Sequence, residues 1–266
     1  MSPAIEVRNL QYRYPAGRDA LRGVSFSVAG GECVGLIGPN GAGKSTVLLH
    51  LNGLLPSDHG AGYDAVHKPR RDAEPNHGEP SVLVDGGALT ADNLFEIRRK
   101  VGLLFQDPND QLFCPTVFED VAFGPEQFGL DTAEIRDRVA RALAVAGIAG
   151  FEERAPHHLS VGEKRRVCLA GVLACDPSIL VLDEPTSSLD PRGRRELKEL
   201  LRQIPITKLI ATHDLELVAE LCSRVIVLDA GVVVAEGPTI PVLSDEALML
   251  RHNLECPHIL RHLHPH

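Results

Sequence analysis

The chain has 266 residues, enough for one large domain with a sizeable buried core, and its 44% hydrophobic and 24% charged content is that of an ordinary globular protein. A formal net charge of −9 argues against a nucleic-acid-coating role, no apolar run reaches the ~18 residues that span a bilayer, and the start MSPAIEVRNL lacks the apolar core of a secretory signal. Six scattered cysteines without a C-x-x-C pair read as reduced thiols in the cytosol, so any service to a membrane would come from its cytoplasmic surface and through a partner.

In chain order, AIEVRNLQYRY and ALRGVSFSV alternate as an antiparallel pair of strands joined by PAGRD. ECVGLIG is a short apolar strand, followed by a Gly-rich turn and a helix over KSTVLLHLNGLL. Residues 58–80 are rich in Gly, Pro, His and charge, lack any period, and read as a flexible insertion. SVLVDG resumes a strand, TADNLFEIRRK is a helix capped by Thr90 or Asp92, and VGLLFQ is a strand. Residues 115–175 read as a helical subdomain, clearest in DTAEIRDRVARALAVAG, where Ile135, Val139, Leu143 and Ala146 share one face. The strand ILVL, the amphipathic helix PRGRRELKELLRQI, the buried strand ITKLIAT and the helix LELVAELC follow. RVIVLDAGVVVAEG is a hairpin turning at Asp229–Gly231, and residues 241–266 form a His-rich tail of helix and coil. Strands alternating with helices predict an α/β fold with a mostly parallel sheet covered on both faces.

GPNGAGKST fits G-x-x-x-x-G-K-[ST] at Gly38, Gly43, Lys44 and Ser45, between an apolar strand and a helix. Glycines let backbone N–H groups close round phosphates, and the helix start adds a positive field. Lys44 reaches the outer phosphates, and the Ser45 hydroxyl is a hard ligand for Mg²⁺. Downstream, ILVLDEP ends an apolar strand on Asp183, which faces the magnesium shell, and Glu184, a candidate general base for water. Read alone, these two acids are a strand end before a proline turn. Ser160-x-x-Glu163 reads first as a capping box worth ~1 kcal/mol to its helix.

That same stretch, LSVGEKRRV, lies just ahead of LDEP and resembles the LSGGQ-type signature of ATP-binding cassette (ABC) proteins. With the phosphate loop, FQDP around Gln106, SSLD at Ser187–Asp190 and THD at Thr212–Asp214, the resemblance covers residues 4 to about 240, the cassette domain. It implies a P-loop NTPase (RecA-like) core with an N-terminal antiparallel β subdomain and an α-helical signature subdomain. It also implies two cassettes packed head to tail, the phosphate loop of one and the Ser160 helix of the other clamping one ATP. On that resemblance, residues 38–46 (Gly38, Pro39, Asn40, Gly41, Ala42, Gly43, Lys44, Ser45, Thr46) cradle ATP, and Ser160 and Gly162 meet the partner's γ-phosphate. Tyr14 stacks on adenine, with Tyr12 its rival. Gln106 senses Mg²⁺ and the attacking water, Asp190 couples the two sites, and His213 holds the γ-phosphate. Two signature positions depart from the pattern: Val161 replaces a glycine and Glu163 a glutamine, so the backbone at Val161 must be regular or the motif distorted.

LLFQDPNDQLFCPTVFEDVAFGPEQFGL resembles the ATPase subunits of energy-coupling-factor importers, especially the cobalt/nickel group. The resemblance implies a transmembrane coupling subunit, a substrate-binding membrane component and a peripheral place on the cytoplasmic side of the cell membrane. Phe105, Leu112, Phe113 and Phe118 line a groove for that partner, or else are ordinary core. Five of the 12 His lie in the tail (His252, His258, His262, His264, His266, near Cys256) and three in the insertion (His59, His67, His77). They are either a sensor or store for cobalt, nickel or zinc, or a plain polar terminus. A vitamin remains the alternative cargo, and a soluble ABC-type mechanical ATPase the alternative role.

Overall fold

The computed structural model describes residues 2–55 and 80–261; the predicted insertion, save its last residue, and the end of the tail lie outside the described residues. The elements in chain order are β1 (Ile5–Arg13), β2 (Asp19–Val28), β3 (Cys33–Ile37), α1 (Lys44–Leu51), β4 (Val82–Val84), β5 (Gly87–Ala88), α2 (Leu94–Lys100) and β6 (Val101–Leu104). There follow α3 (Val117–Gln127), α4 (Thr132–Val145), α5 (Val161–Ala174), β7 (Ile179–Asp183), α6 (Pro191–Gln203), β8 (Thr207–Ala211) and α7 (Leu215–Leu221). The last are β9 (Arg224–Asp229), β10 (Val232–Pro238), α8 (Thr239–Ser244), α9 (Glu246–Arg251) and α10 (His258–Arg261). They fall into two compact units, one from Met1–Arg98 with Thr207–His266 and one from Arg99–Ile206.

In the first unit the alternating strands β1 and β2 pair antiparallel, as their patterning predicts, and β4 and β5 extend that sheet from the other edge of β1. The apolar strand β3 lies between β8 and β9, parallel to both, and β10 folds back antiparallel on β9. Strands buried on both faces carry continuous apolar runs, which is why CVGLI and TKLIA show no alternation. The β9–β10 turn has Ala230 at φ 45° and Gly231 at φ 79°, the two successive positive values that a tight hairpin matched to strand twist requires. Helix α7 packs close on β3 at Gly35, where an added Cβ would lie 2.6 Å from Val218 Cγ1. Helix α8 starts at Thr239 and carries the chain into the tail, where Leu243, Met249, Leu254 and Leu260 are buried, so its described part joins this unit's core.

Two local expectations change. Helix α1 stops at Leu51 instead of Leu55, because Gly53 takes φ 67° and the chain closes on itself through Gly53 N–H to His50 O and Leu54 N–H to Leu49 O. Of the two candidate caps before α2, Thr90 is the one used: a short 3₁₀ turn, Ala91–Asn93, opens with Thr90 and Asn93 bonded reciprocally.

The second unit holds the parallel pair β6 and β7, in register from Val101 opposite Ile179 to Leu104 opposite Leu182. Its core is helical. Val117, Val121 and Ala122 of α3, Ile135, Val139 and Leu143 of α4, and Val167, Ala170 and Ala174 of α5 bury one another, and Ala146 joins them just past α4. The face read from the 3.6-residue period of α4 is therefore the face that packs. Amphipathic α6 buries Leu197, Leu200 and Leu201.

The Gly35–Val218 approach gives a direct test. Gly35→Ala is expected to destabilise the chain by about 1–3 kcal/mol through overpacking, and Val218→Ala in the same chain should recover part of it. Thermal unfolding of the two single variants and the double variant measures both terms; additive losses would refute the contact.

Candidate active site

The phosphate loop belongs to the first unit and is built by backbone packing. A Cβ on Gly38 would sit 2.0 Å from Leu228 O, so only glycine fits there. Gly43 takes φ 109° at the start of α1 and has no side chain to cap the helix, and no acidic residue stands in the first turn. The first N–H groups of α1 thus face outward with the positive end of the helix, the arrangement that receives phosphate. The hairpin tip braces the loop, since Gly231 N–H donates to Ala42 O at 3.0 Å while Arg22 N–H donates to Gly231 O at 2.8 Å. Buried Lys44 folds over the loop, its Nζ donating to Gly38 O at 2.8 Å and Pro39 O at 3.2 Å. Ser45 is exposed beside it, and Pro39, Asn40 and Gly41 line the loop between Gly38 and Ala42.

Tyr14 is half-buried, and its hydroxyl is hydrogen-bonded to the Thr46 hydroxyl at 3.1 Å, which brings its ring to the loop. Its rival Tyr12 is buried and packs edge-on against His50 at 4.8 Å, a strand-packing role. His213 is exposed between buried Thr212 and Asp214, which caps α7 through Leu217 N–H.

The remaining candidates stand in the second unit. Asp183 is the buried last residue of β7, and Glu184, also buried, takes φ 46°. A glutamate in the left-handed region stores backbone strain, which the turn holds by Ser187 N–H donating to Glu184 O at 3.0 Å. Exposed Gln106 follows β6. The Asp190 carboxylate accepts from Gly193 N–H at 2.7 Å and caps α6. The Ser45 hydroxyl in the first unit, and the Gln106 amide and Asp183 carboxylate in the second, each carry a hard oxygen donor of the kind Mg²⁺ prefers.

The signature helix α5 opens as the capping box its sequence spells. Ser160 Oγ donates to Glu163 Oε2 at 2.7 Å, Ser160 N–H donates to the same oxygen at 2.8 Å, and Glu163 N–H donates to Ser160 Oγ at 3.3 Å. The Ser160 bonds hold the Glu163 carboxyl below the usual carboxylate range. Val161 is the exposed first residue of α5 and does not take a positive φ, so the departure from glycine leaves the backbone regular. Gly162 is half-buried behind it.

Two contributors escaped the sequence reading. The run KRRV places three basic residues in succession on α5, and Arg165 among them is 1% exposed. Its guanidinium donates to Phe105 O at 2.8 Å and Ser187 O at 3.4 Å, tying the segments that carry Gln106 and Glu184 to the signature helix. Burial lowers its pKa, which nearby Asp107 and Asp183 oppose. The second is Phe123, 42% exposed, packed edge-on at 4.9 Å against Phe113, itself 64% exposed. Asp120 Oδ1 accepts from the N–H groups of Phe113 and Cys114, both at 3.0 Å, and fixes that loop. Leu112 and Phe118 instead pack partly buried against the helical core, and Phe105 is half-buried.

Residues 21–187 match the ABC transporter family. The chain belongs to that family. The energy-coupling factor transporter ATP-binding protein EcfA of Methanothermobacter thermautotrophicus is 48% identical over 95% of this chain and 76% of its own length. Its counterpart in Methanocaldococcus jannaschii is 43% identical over 96% of this chain and 86% of its own. The solved structure of CbiO1 from Clostridium perfringens, part of the ABC transporter complex CbiONQ, superposes with a TM-score of 0.76 at 34% identity and covers 99% of both chains. This ABC chain is thus an ATPase of the energy-coupling-factor type, with the fold its motifs imply. Among the described residues, no helix is long and apolar enough to cross a membrane, and no cluster of three or more His, Cys, Asp or Glu is arranged to hold a metal.

The capping box carries a pH signature. Because the folded Glu163 carboxyl sits below its ordinary range, the box's contribution is present above the unfolded value and is lost as pH falls through the lowered one. Thermal stability of Glu163→Gln is therefore expected to vary less with acid than that of the parent chain; parallel curves would refute it.

Proposed function

We propose that this ATPase drives an importer for cobalt or nickel ions, held on the cytoplasmic face of the membrane by a transmembrane coupling subunit beside a substrate-binding component. It works as one of two cassettes, the second being a copy or a paralogue. The observation that carries this reading is the end-to-end likeness to CbiO1, which spans 99% of both chains. The exposed Phe113–Phe123 pair, fixed by Asp120 on the loop after Gln106, supports a docking surface for a helix of the coupling subunit.

In this proposal the N–H groups of residues 38–46 and Lys44 bind the phosphates of ATP, and the Tyr14 ring supports the adenine. Ser45, Gln106 and Asp183 are the residues that would hold Mg²⁺, which when bound would neutralise phosphate charge. Glu184 takes the proton of the attacking water, and His213 orients that water and the γ-phosphate. Ser160 and Gly162 address the nucleotide of the second cassette, with Asp190 linking the sites. For this the Ser160 hydroxyl must leave the Glu163 carboxylate for phosphate, so the box and the ligand compete for one donor.

Glu184→Gln is expected to bind ATP, accumulate as a dimer and lose at least ~100-fold in turnover, the scale of a lost general base. Lys44→Ala should weaken nucleotide binding about 10- to 100-fold, the scale of a charge-assisted hydrogen bond. Calorimetry and phosphate release measure both; full turnover in the first or full affinity in the second removes the assigned role. For the cargo, vesicles carrying the chain and its membrane components should take up cobalt or nickel with ATP inside the parent assembly and fail with Glu184→Gln. Uptake of a vitamin alone would overturn the cargo and leave the ATPase standing. Phe113→Ser with Phe123→Ser should release the chain from those membranes while preserving ATP binding.

A further inference from the structure

The first unit holds a pair of cysteines that ATP chemistry does not use. Cys33 is the half-buried first residue of β3, and Cys222 is the buried residue that ends α7. Their sulfur atoms lie 3.7 Å apart. The backbone around both is fixed: Ser223 N–H donates to Cys33 O at 3.1 Å, and Thr239 Oγ1 donates to Cys222 O at 2.7 Å. Closing from 3.7 Å to a disulfide length of ~2.05 Å is the movement that oxidation asks of the two sulfur atoms.

The surroundings favour a thiolate on one member. Lys208 stands opposite Cys33 in the β3–β8 register. Glu32, the nearby anion that would oppose a thiolate, is engaged by Arg224 through Nε to Oε1 at 2.7 Å and Nη2 to Oε2 at 2.9 Å. Hydrogen bonding between the two sulfurs, with the Lys208 charge, lowers the pKa of Cys33, while the same pairing and burial raise that of Cys222. Elsewhere burial pushes thiols the other way, Cys114 and Cys175 up to about 11 and Cys168 up to about 12. The more exposed sulfur is therefore the nucleophile and the buried one its neighbour in wait.

We propose that Cys33 and Cys222 form a reversible redox site in which Cys33 is oxidised by a hydroperoxide and Cys222 resolves it to an intramolecular disulfide. The Cys33 thiolate attacks the peroxide, forming S–O and breaking O–O, and the departing alkoxide takes a proton to leave as an alcohol or, from hydrogen peroxide, as water. Cys222 then attacks the Cys33 sulfenic acid, forming S–S and breaking S–O, and the hydroxyl leaves with the Cys222 proton as water. Two thiols and one hydroperoxide become one disulfide, one alcohol and one water. A dithiol reductant reverses the change by exchange.

The test treats the full native chain with hydrogen peroxide. Two of the six thiols are expected to disappear, peptide mapping should join the Cys33 and Cys222 peptides, and reductant should restore all six. The closed loop spans 189 positions, so the denatured unreduced chain should run faster on a gel than the reduced one. In Cys222→Ser the sulfenic acid should persist on Cys33 and be captured by dimedone. Lys208→Met, which keeps both thiols, should form the same disulfide several-fold more slowly. Oxidation of Cys114 or Cys256 while Cys33 and Cys222 stay reduced would overturn the proposal. So would a Cys222→Ser chain that takes no dimedone at Cys33, or an unchanged rate in Lys208→Met.

Discussion

The oxygen of Leu228 fills the space where a side chain on residue 38 would begin. From that contact the shape of the phosphate loop follows. Gly38 must be glycine, the chain turns beneath it, and α1 starts with its N–H groups uncovered. Lys44 and the Gly231–Ala42 bond complete a cradle made largely of backbone. Such a surface presents donors at fixed positions and needs no reorganisation when an anion arrives, which is the property that phosphate binding rewards.

The second unit solves a different problem, that of holding buried charged side chains in place. Glu184 sits in a strained conformation costing ~1–3 kcal/mol, tolerated only where neighbours over-determine it. Arg165 supplies part of that determination. A guanidinium buried in the helix that carries the signature bonds to carbonyls on two separate loops, and its Nε finds no hydrogen-bond partner among the described residues. A buried cation is costly to desolvate, and the two carbonyls with nearby Asp107 and Asp183 offset part of that cost.

Much of this was legible in the sequence because it is local. The phosphate loop, the Ser160 box, the alternating β1–β2 pair and the packed face of α4 each depend on residues a few positions apart. What stayed hidden depends on contacts distant along the chain. No pattern in KRRV distinguishes buried Arg165 from a solvated neighbour, because burial comes from Phe105 and Ser187 on other segments. Phe123 carries no sequence signal of its own and is half-exposed, whereas Leu112 and Phe118, open between groove and core in the sequence, pack partly buried against the core. The overrun of α1 past Leu51 has the same origin in reverse: apolar residues continue, but Gly53 turns the chain left-handed before they can add a turn.

The hairpin at Ala230–Gly231 also sets a timetable. The loop it braces is translated near the beginning of the chain, while the brace emerges almost two hundred positions later. Until the ribosome has released β9, β3 has β8 as its one paired strand, Gly38 does not face Leu228 O and Ala42 O lacks the Gly231 donor. A nascent chain therefore completes the packing of this loop among the last of its features.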